Sequence, residues 1–433
     1  MKLSRYAKIY PSAADKESLV LFSTKRASAV LVPSGLLDEI KNGSLPEDEQ
    51  ETLFELGLLV HSDEEEKREM LAFIREQNDL NRASEYLVVL NLDCNLGCRY
   101  CFEGSRKGKF YLSDETELQF VDFVQRRDLL NKEEIRITFY GGEPLLSADR
   151  IVSISEKLGS FAKEKGLKYS FSLVTNGTLL TPGVVKRLTP LGLKAAKVTL
   201  DGPKDVHDRF RPFKSGAGSF DVIVRNIIDV CSLIQVSLGG NFTRDNYREF
   251  PRLLDHLADR GLTPERIPVI KFDPVVNESS EFAPPDFHDG CDSANEPWIS
   301  EATIFLREEI LKRGYRTQRL RPSSCMMQLG DGFVVNYDGT LYKCPGLIGR
   351  PGLAVGSVAS GVTEYGRTLG LDDWKNEECL ACGYLPLCFG GCKYLKLVRD
   401  GDIKGLDCKK AYFDSTLGAL LAQDLLHDRT DEP

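Results

Sequence analysis

The stretch LNLDCNLGCRYCFEG, residues 90–104, sets Cys94, Cys98 and Cys101 in one short loop after a strand-like run, with Tyr100 just before the last thiol. A structural zinc site takes four protein ligands, and a disulfide would use two of these cysteines and strand the third. A cubane iron–sulfur cluster has four irons to be held by thiolates. Three cysteines at such a cluster leave one iron free to chelate the amino and carboxylate groups of a small molecule and to deliver an electron to it.

The chain around this loop is regular. From residue 86, strand candidates YLVVLNL, IRITFY, YSFSLV, AAKVTL, IQVSLGG and IPVIKF follow one another. Each of the first five precedes a loop and a helical pattern such as DETELQFVDFVQRRDLL or YREFPRLLDHLADRG. Six βα-type units make a parallel sheet with helices outside, and chemistry in such folds sits at the carboxyl ends of the strands. The polar signatures lie there: Cys94 after the first strand, GGEP (Gly141–Pro144) after the second, TNG (Thr175–Gly177) after the third, and TLDGP (Thr199–Pro203) at the end of the fourth. Four such loops at successive strand ends imply one shared pocket.

Residues 1–80 form a separate pattern, with the strand-like pieces YAKIY, LVLF and SAVLV followed by helical PSGLLDEIKNG and PEDEQETLFELGLLV. That is a small α+β unit. The acidic run DEEEKREMLAFIREQND after it reads as a solvated connector helix. At 433 residues, two or three packed units are expected. A hydrophobic content of 42%, a charged content of 28% and a net charge of -9 are those of an ordinary soluble chain and argue against a nucleic-acid or anionic-membrane surface. The N-terminal residues lack the apolar core of a signal peptide, and no apolar run approaches the ~18 residues of a membrane span, so the chain reads as cytoplasmic. In that compartment twelve cysteines point to metal rather than to disulfides. Cys231 reads as a buried, inert thiol, and His207 as a capping or packing residue.

The CxxxCxxC spacing with an aromatic before the third cysteine resembles the radical S-adenosylmethionine (SAM) enzymes. In that superfamily a [4Fe-4S] cluster, here on Cys94, Cys98 and Cys101, reduces SAM, and the 5'-deoxyadenosyl radical removes hydrogen from substrate. The resemblance implies cofactor contacts at Gly141, Gly142 and Glu143 for the methionine amino group, with glycines allowing close backbone approach. It further implies contacts at Thr199 and Arg211 for the ribose and carboxylate ends, and at Tyr100 and Phe272 on the adenine side. No residue is identified as catalytic in itself.

The later array of Cys325, Gly339, Cys344, Cys379, Cys382, Cys388, Cys392 and Cys408 resembles the SPASM extension of many radical SAM barrels, which carries auxiliary four-iron clusters; two zinc ribbons are an alternative use of such cysteines. By that resemblance Cys379, Cys382, Cys388 and Cys408 ligate the distal cluster, and Cys325, Cys344 and Cys392 hold the proximal one, which lacks a fourth ligand. Cys291 or a substrate thiol would complete it. The implied fold is α/β: a partial (β/α)6 radical SAM barrel over residues 86–300, a small N-terminal winged-helix-like α+β unit over residues 1–80 and a cysteine-rich SPASM extension over residues 320–433.

The N-terminal unit resembles the element by which maturases of ribosomally made peptides grip a leader, and the chain as a whole is most similar to geopeptide-type SPASM maturases. What the resemblance implies is a radical SAM oxidoreductase with three [4Fe-4S] clusters and SAM. It would act on a small precursor peptide with a leader, draw electrons from a flavodoxin or ferredoxin, and form cysteine thioether cross-links. The alternatives are epimerisation, carbon–carbon cross-linking, or sulfatase-type formylglycine formation. The last is weakened by Pro345, which stands where sulfatase maturases carry an aspartate. A non-catalytic iron–sulfur or zinc protein is the alternative of another class.

Overall fold

The computed structural model describes residues 1–12, 17–278, 287–322 and 325–427; residues 13–16, 279–286, 323–324 and 428–433 of the expected units lie outside the described residues. The N-terminal unit runs through β1 (Lys2–Leu3), β2 (Ala7–Pro11), β3 (Ser18–Ser23), β4 (Ala29–Pro33), α1 (Leu36–Asn42), α2 (Glu47–Glu55), β5 (Leu59–Val60) and α3 (Asp63–Leu80). β2, β3 and β4 make an antiparallel sheet with β3 in the centre, and β1 pairs with β5. Strand side chains alternate between faces. On β3, Leu21 packs with Leu36, Ile40, Leu53 and Leu58 of the unit itself, while Val20 and Phe22 pack with Tyr384, Phe413 and Leu417 of the C-terminal extension.

The acidic helix α3 is no free connector. Glu66 and Met70 are buried, Glu66 accepts from the backbone and Nε of Arg5 (3.3 and 3.1 Å), and Phe73 stacks on Phe389 with ring centres 5.0 Å apart. At its C-terminal end Asn78 Nδ2 donates to Gln328 O (3.0 Å). The charges on the outer face mask a narrow apolar stripe at Met70, Phe73 and Ile74, spaced three and four residues apart on one side of the helix.

The barrel region alternates β6 (Ala83–Val89), α4 (Asp114–Gln125), β7 (Glu134–Tyr140), α5 (Ala148–Glu164), β8 (Lys168–Thr175), α6 (Pro182–Leu188), β9 (Leu193–Thr199), α7 (Lys204–Phe210), α8 (Phe220–Val230), β10 (Gln235–Phe242), α9 (Phe250–Asp259), β11 (Ile270–Pro274) and α10 (Pro297–Leu311). β6 to β11 are parallel and ordered as in the chain. β12 (Gly332–Val335) adds parallel to β6, and β13 (Leu341–Tyr342) adds antiparallel to β12, so residues expected in the third unit complete an eight-stranded sheet. The extension continues with α11 (Glu377–Ala381), α12 (Leu385–Cys388), α13 (Lys393–Asp400) and α14 (Lys410–Leu426).

The two faces of the sheet differ. Ile135, Ile137 and Phe139 of β7 are fully buried in the core shared with α4 and α5. On the opposite face Arg136 pairs with Glu85 (2.8 Å), and Thr138 shares a hydrogen bond with Ser172 (3.2 Å). A parallel sheet covered on both sides reads as continuous apolar runs; here one face is polar, and the ends of its strands carry the site. No helix among the described residues is long and apolar enough to cross a membrane.

Because Phe22 joins the N-terminal sheet to α14, Phe22→Ala is expected to destabilise the chain by about 3–5 kcal/mol in urea unfolding. Ile9→Ala, on the exposed part of β2, should stay within about 0.5 kcal/mol of the parent. Equal effects would mean that the two units do not share a core.

Candidate active site at the strand ends

The loop after β6 lies against the turn after β7. Gly142 N donates to Asn91 O (3.0 Å) and Glu143 N to Asp93 O (2.8 Å). A Cβ on Gly141 would overlap Asn91 O, and one on Gly142 would overlap Asp93 O; Gly141 also has φ of +140°. Only glycine serves at these positions, and what they approach is the backbone that carries Cys94. Glu143 is fully buried, and its carboxylate accepts from Thr175 Oγ1 (2.7 and 2.9 Å), Asn176 N (2.8 Å) and Leu145 N (3.0 Å). Burial holds its carboxyl above the ordinary range, against the pull of these donors and of Arg211. Asn176 Nδ2 in turn reaches Asn95 Oδ1 (2.8 Å) and Cys94 Sγ (3.7 Å).

A second network surrounds Tyr100. Its hydroxyl donates to Asp201 and accepts from Arg211 Nη1 (2.6 Å) and Asn241 Nδ2 (3.0 Å). Asp201 also accepts from Asn241 N (2.7 Å) and lies 3.6 Å from Arg211 Nη1. Against burial, Cys98, Tyr100 and Asp201 hold the Arg211 guanidinium above its usual range. Arg211 Nε is buried and has no hydrogen-bond partner among the described residues, so the network keeps one guanidinium donor in reserve. Thr199 ends β9 in register with Gly239, on the sheet face of Asn241. Phe272 lies on the other face: its register partner is Gly240, and its ring meets Phe250 of α9 at 4.5 Å.

His207 closes this network from behind. It is fully buried; Nδ1 accepts from Asp201 N (3.2 Å), and Nε2 lies 3.0 Å from Ser219 Oγ, which itself donates to Arg211 O (2.7 Å). These partners fit a neutral ring with its proton on Nε2. Burial, with Arg211 beside it, holds the imidazole well below its ordinary pKa.

The thiols fall into three sets. Burial raises Cys94, Cys98 and Cys101, and each feels the charge of another of the three and of Lys107. Against burial, the three sulfurs keep the Lys107 ammonium above its usual range. Cys344 feels Cys325 and Cys392; Cys379 feels Cys382 and Cys408; Cys388 feels Cys382 and Cys379. Cys291 is buried in the core, where burial pushes its thiol up to about 12 and the charges that act on it are those of Glu296, Asp292 and Asp407. Among the described residues, no three His, Cys, Asp or Glu side chains converge on a point that would hold one metal ion. A cubane asks for a wider spacing, because each thiolate binds a different iron.

Between the first two thiol sets stands Tyr140, at the end of β7. Its hydroxyl is held far above its usual range by burial and by Glu103, Cys101, Cys344 and Tyr394, and the three-thiol loop meets the extension where Arg106 donates to Ile348 O. Tyr394 donates to Glu278 Oε2 (3.0 Å), whose other oxygen accepts from Arg350 (2.9 Å). Sequence reasoning passed over Asp201, Asn241, Asn176, Glu103 and Tyr140. The first sits inside TLDGP, the third inside TNG and the fourth inside the opening stretch, so position within a motif was the available signal for them.

Residues 88–257 match the pattern of the Radical SAM superfamily. The chain is 33% identical to Fe-coproporphyrin III synthase of Methanosarcina barkeri over 192 residues, 43% of this chain and 43% of that protein. It therefore spans less than half of that relative. It is 25% identical to the serine-type anaerobic sulfatase-maturating enzyme of Klebsiella aerogenes over 69% of this chain and 76% of that protein. In fold it is similar to the crystal structure of Streptococcus suis SuiB bound to precursor peptide SuiA, with a TM-score of 0.54 and 14% identity over 94% of this chain and 98% of the other.

The depressed His207 has a pH signature. A histidine that stays neutral in the fold but takes a proton near pH ~6.5 when unfolded leaves stability intact above that pH and removes it as pH falls below. Compared with the parent, His207→Gln is expected to lose a part of the acid-side slope, up to about 1.4 kcal/mol per pH unit, in urea unfolding between pH 7 and 5. Identical slopes would show that His207 titrates alike in both states.

Proposed function

We propose that this chain, which carries a radical SAM domain, is a maturase of a ribosomally made peptide and forms thioether cross-links at cysteine. The observation that carries the reading is the loop of three thiols, joined by main-chain bonds to the Gly141–Glu143 turn and flanked by the Arg211 network at the ends of parallel strands. Cys94, Cys98 and Cys101 would hold the catalytic [4Fe-4S] cluster. SAM would lie against Tyr100, Gly141, Gly142, Glu143, Thr199 and Arg211, with Phe272 left to the packing against α9. When bound, the cluster with SAM would supply the one-electron chemistry for removing a hydrogen atom from the substrate.

The chain's own groups suit that task. Arg211 Nε offers a donor to a carboxylate, which pairs well with a guanidinium. Lys107 offsets the negative charge of the thiolates. Asn176 and the Glu143 turn hold the loop so that its sulfurs keep their spacing. In the extension, Cys379, Cys382, Cys388 and Cys408 form a full set for one auxiliary cluster. Cys325, Cys344 and Cys392 would form a set one short for another, to be completed by Cys291, which shares Asp407 as a neighbour with Cys392, or by a substrate thiolate, the completion the thioether reading requires.

A peptide substrate fits the N-terminal sheet. Among the described residues β4 pairs with β3 alone, so its other edge can take a leader as an added strand, next to the exposed Leu31. A flavodoxin or ferredoxin would supply the electron. Formylglycine formation is the second reading, favoured by the similarity to the sulfatase-maturating enzyme. Against it stands Pro345, which opens the turn Pro345–Leu347 directly after Cys344 and brings no acid to that place.

Replacing Cys94, Cys98 and Cys101 together by alanine is expected to abolish 5'-deoxyadenosine formation and to remove about a third of the iron of the reconstituted protein. Retained SAM cleavage would refute the assignment.

For the cross-link, mass spectrometry of the precursor peptide after turnover should find it lighter by one hydrogen molecule per link, with the linked cysteine resistant to alkylation. A modified peptide whose cysteines all alkylate would exclude thioether formation.

A further inference from the structure

Two of the distal thiols, Cys379 and Cys382, sit in the turn that ends α11, and the carbonyls of this turn are satisfied from two sources. Cys379 O accepts from Cys382 N (3.0 Å) and Cys382 O from Leu385 N (3.1 Å), so these two close within the segment. Leu380 O and Gly383 O, each directly after one of the thiols, are served from the other end of the chain. Arg5 Nη1 and the Tyr6 hydroxyl both donate to Leu380 O (3.2 Å each), and Thr24 Oγ1 donates to Gly383 O (2.8 Å). The last carbonyls of a helix have no partner inside it, and the N-terminal unit supplies the donors here.

The donors are themselves held in place. Arg5 is fixed to α3 by Asp63 (2.9 Å) and Glu66 (3.1 Å), and Tyr6 and Thr24 are fully buried, with Thr24 N donating to Tyr6 O (2.9 Å). Gly383 shows how closely the two units approach: a Cβ there would lie 2.7 Å from Arg5 O and 2.8 Å from Lys8 Nζ. The Lys8 ammonium, 3.7 Å from the centre of the Tyr384 ring, thus stands against the main chain directly after Cys382. Cys379 packs against the cluster of Tyr6 and Leu380, whereas Cys382 and Cys388 pack against that of Val20 and Phe22. Three of the four distal thiols therefore border the N-terminal unit.

We infer that Arg5, Tyr6, Lys8 and Thr24 are positioning residues of the distal thiol site, so that the N-terminal unit is a working part of that site as well as a platform for a leader. A peptide group is planar, and fixing its carbonyl fixes the direction of the next N–H. Arg5, Tyr6 and Thr24 in this way set the two peptide groups that follow Cys379 and Cys382 in the thiol turn. Lys8 places a positive charge behind Cys382. A cation there favours the reduced, more negative state of an iron–sulfur cluster and so raises its potential. The inference rests on the reading that Cys379, Cys382, Cys388 and Cys408 hold such a cluster.

The test uses the full chain with Cys94, Cys98 and Cys101 replaced by alanine and reconstituted with iron and sulfide, so that auxiliary clusters alone are read. Iron content, the rate of iron release to a chelator and the midpoint potentials, followed by electron paramagnetic resonance, are compared between this parent and three variants. The groups behind metal ligands contribute about tenfold or more to metal affinity. The double variant Tyr6→Phe with Thr24→Val should accordingly release about half of its iron about tenfold faster. Lys8→Met should keep its iron and shift one auxiliary potential to more negative values. Leu53→Ala, which loosens the core of the N-terminal unit where no extension residue packs, should match the parent in release and potential.

Parental release in the double variant together with parental potentials in Lys8→Met would overturn the inference. Equal acceleration by Leu53→Ala would also overturn it, because general loosening of the unit would then account for the loss. If the double variant does not fold, Lys8→Met, at a half-buried strand position, decides through its potential. The underlying reading has its own arm, with alanine at Cys379, Cys382, Cys388 and Cys408. A chain that keeps all of its iron after that change holds no cluster there, and the reading then falls together with the inference.

Discussion

Two main-chain hydrogen bonds organise this site. Gly142 N to Asn91 O and Glu143 N to Asp93 O lay the turn after the second parallel strand directly on the loop that leaves the first, with no room for a Cβ on either glycine. Everything else at the strand ends is referred to that contact. Once the turn is in place, the Glu143 carboxylate reaches the third strand end through Thr175 and Asn176, and Asn176 returns to Cys94. A loop of three cysteines is thereby braced by backbone and amide groups.

The bracing leaves the loop with two distinct sides. Toward the fourth and fifth strands it meets an ionic network of Tyr100, Asp201, Asn241 and Arg211, in which Arg211 Nε has no hydrogen-bond partner among the described residues. Toward the extension Arg106 donates to Ile348 O, beside Glu103, whose oxygens have no hydrogen-bond partner among the described residues.

The N-terminal unit and the extension form one packed body. Tyr6 donates to Leu380 O (3.2 Å), Thr24 Oγ1 donates to Gly383 O (2.8 Å), and Lys8 lies 3.7 Å over the Tyr384 ring, all within the segment that carries Cys379 and Cys382. A strand added at the β4 edge would therefore press on a sheet whose other residues support the distal thiols. The unit proposed to read a leader and the unit proposed to hold auxiliary clusters share a hydrophobic layer, so neither is a detachable module.

The residues that define the parallel sheet were legible because their periodicity is local: alternating runs such as Ile135, Ile137 and Phe139 mark a strand without knowledge of its neighbours. The three-thiol loop and the glycine turn were legible for a similar reason, since each needs particular residue types within a few positions. The sequence did not disclose that α3 has a buried stripe, that β12 joins the sheet beside β6, or that Phe272 turns toward Phe250. Nor did it disclose the partnership of Tyr100 with Asp201 and Asn241, or that the buried Glu103 oxygens lack a hydrogen-bond partner among the described residues. These depend on contacts between residues up to hundreds of positions apart. Local composition alone determined which segments were strands and that Cys94, Cys98 and Cys101 stood together. Which face a side chain presents, and whether a buried carboxylate finds a donor, was decided only when the chain closed on itself, because burial and hydrogen bonding belong to the surroundings and not to the residue.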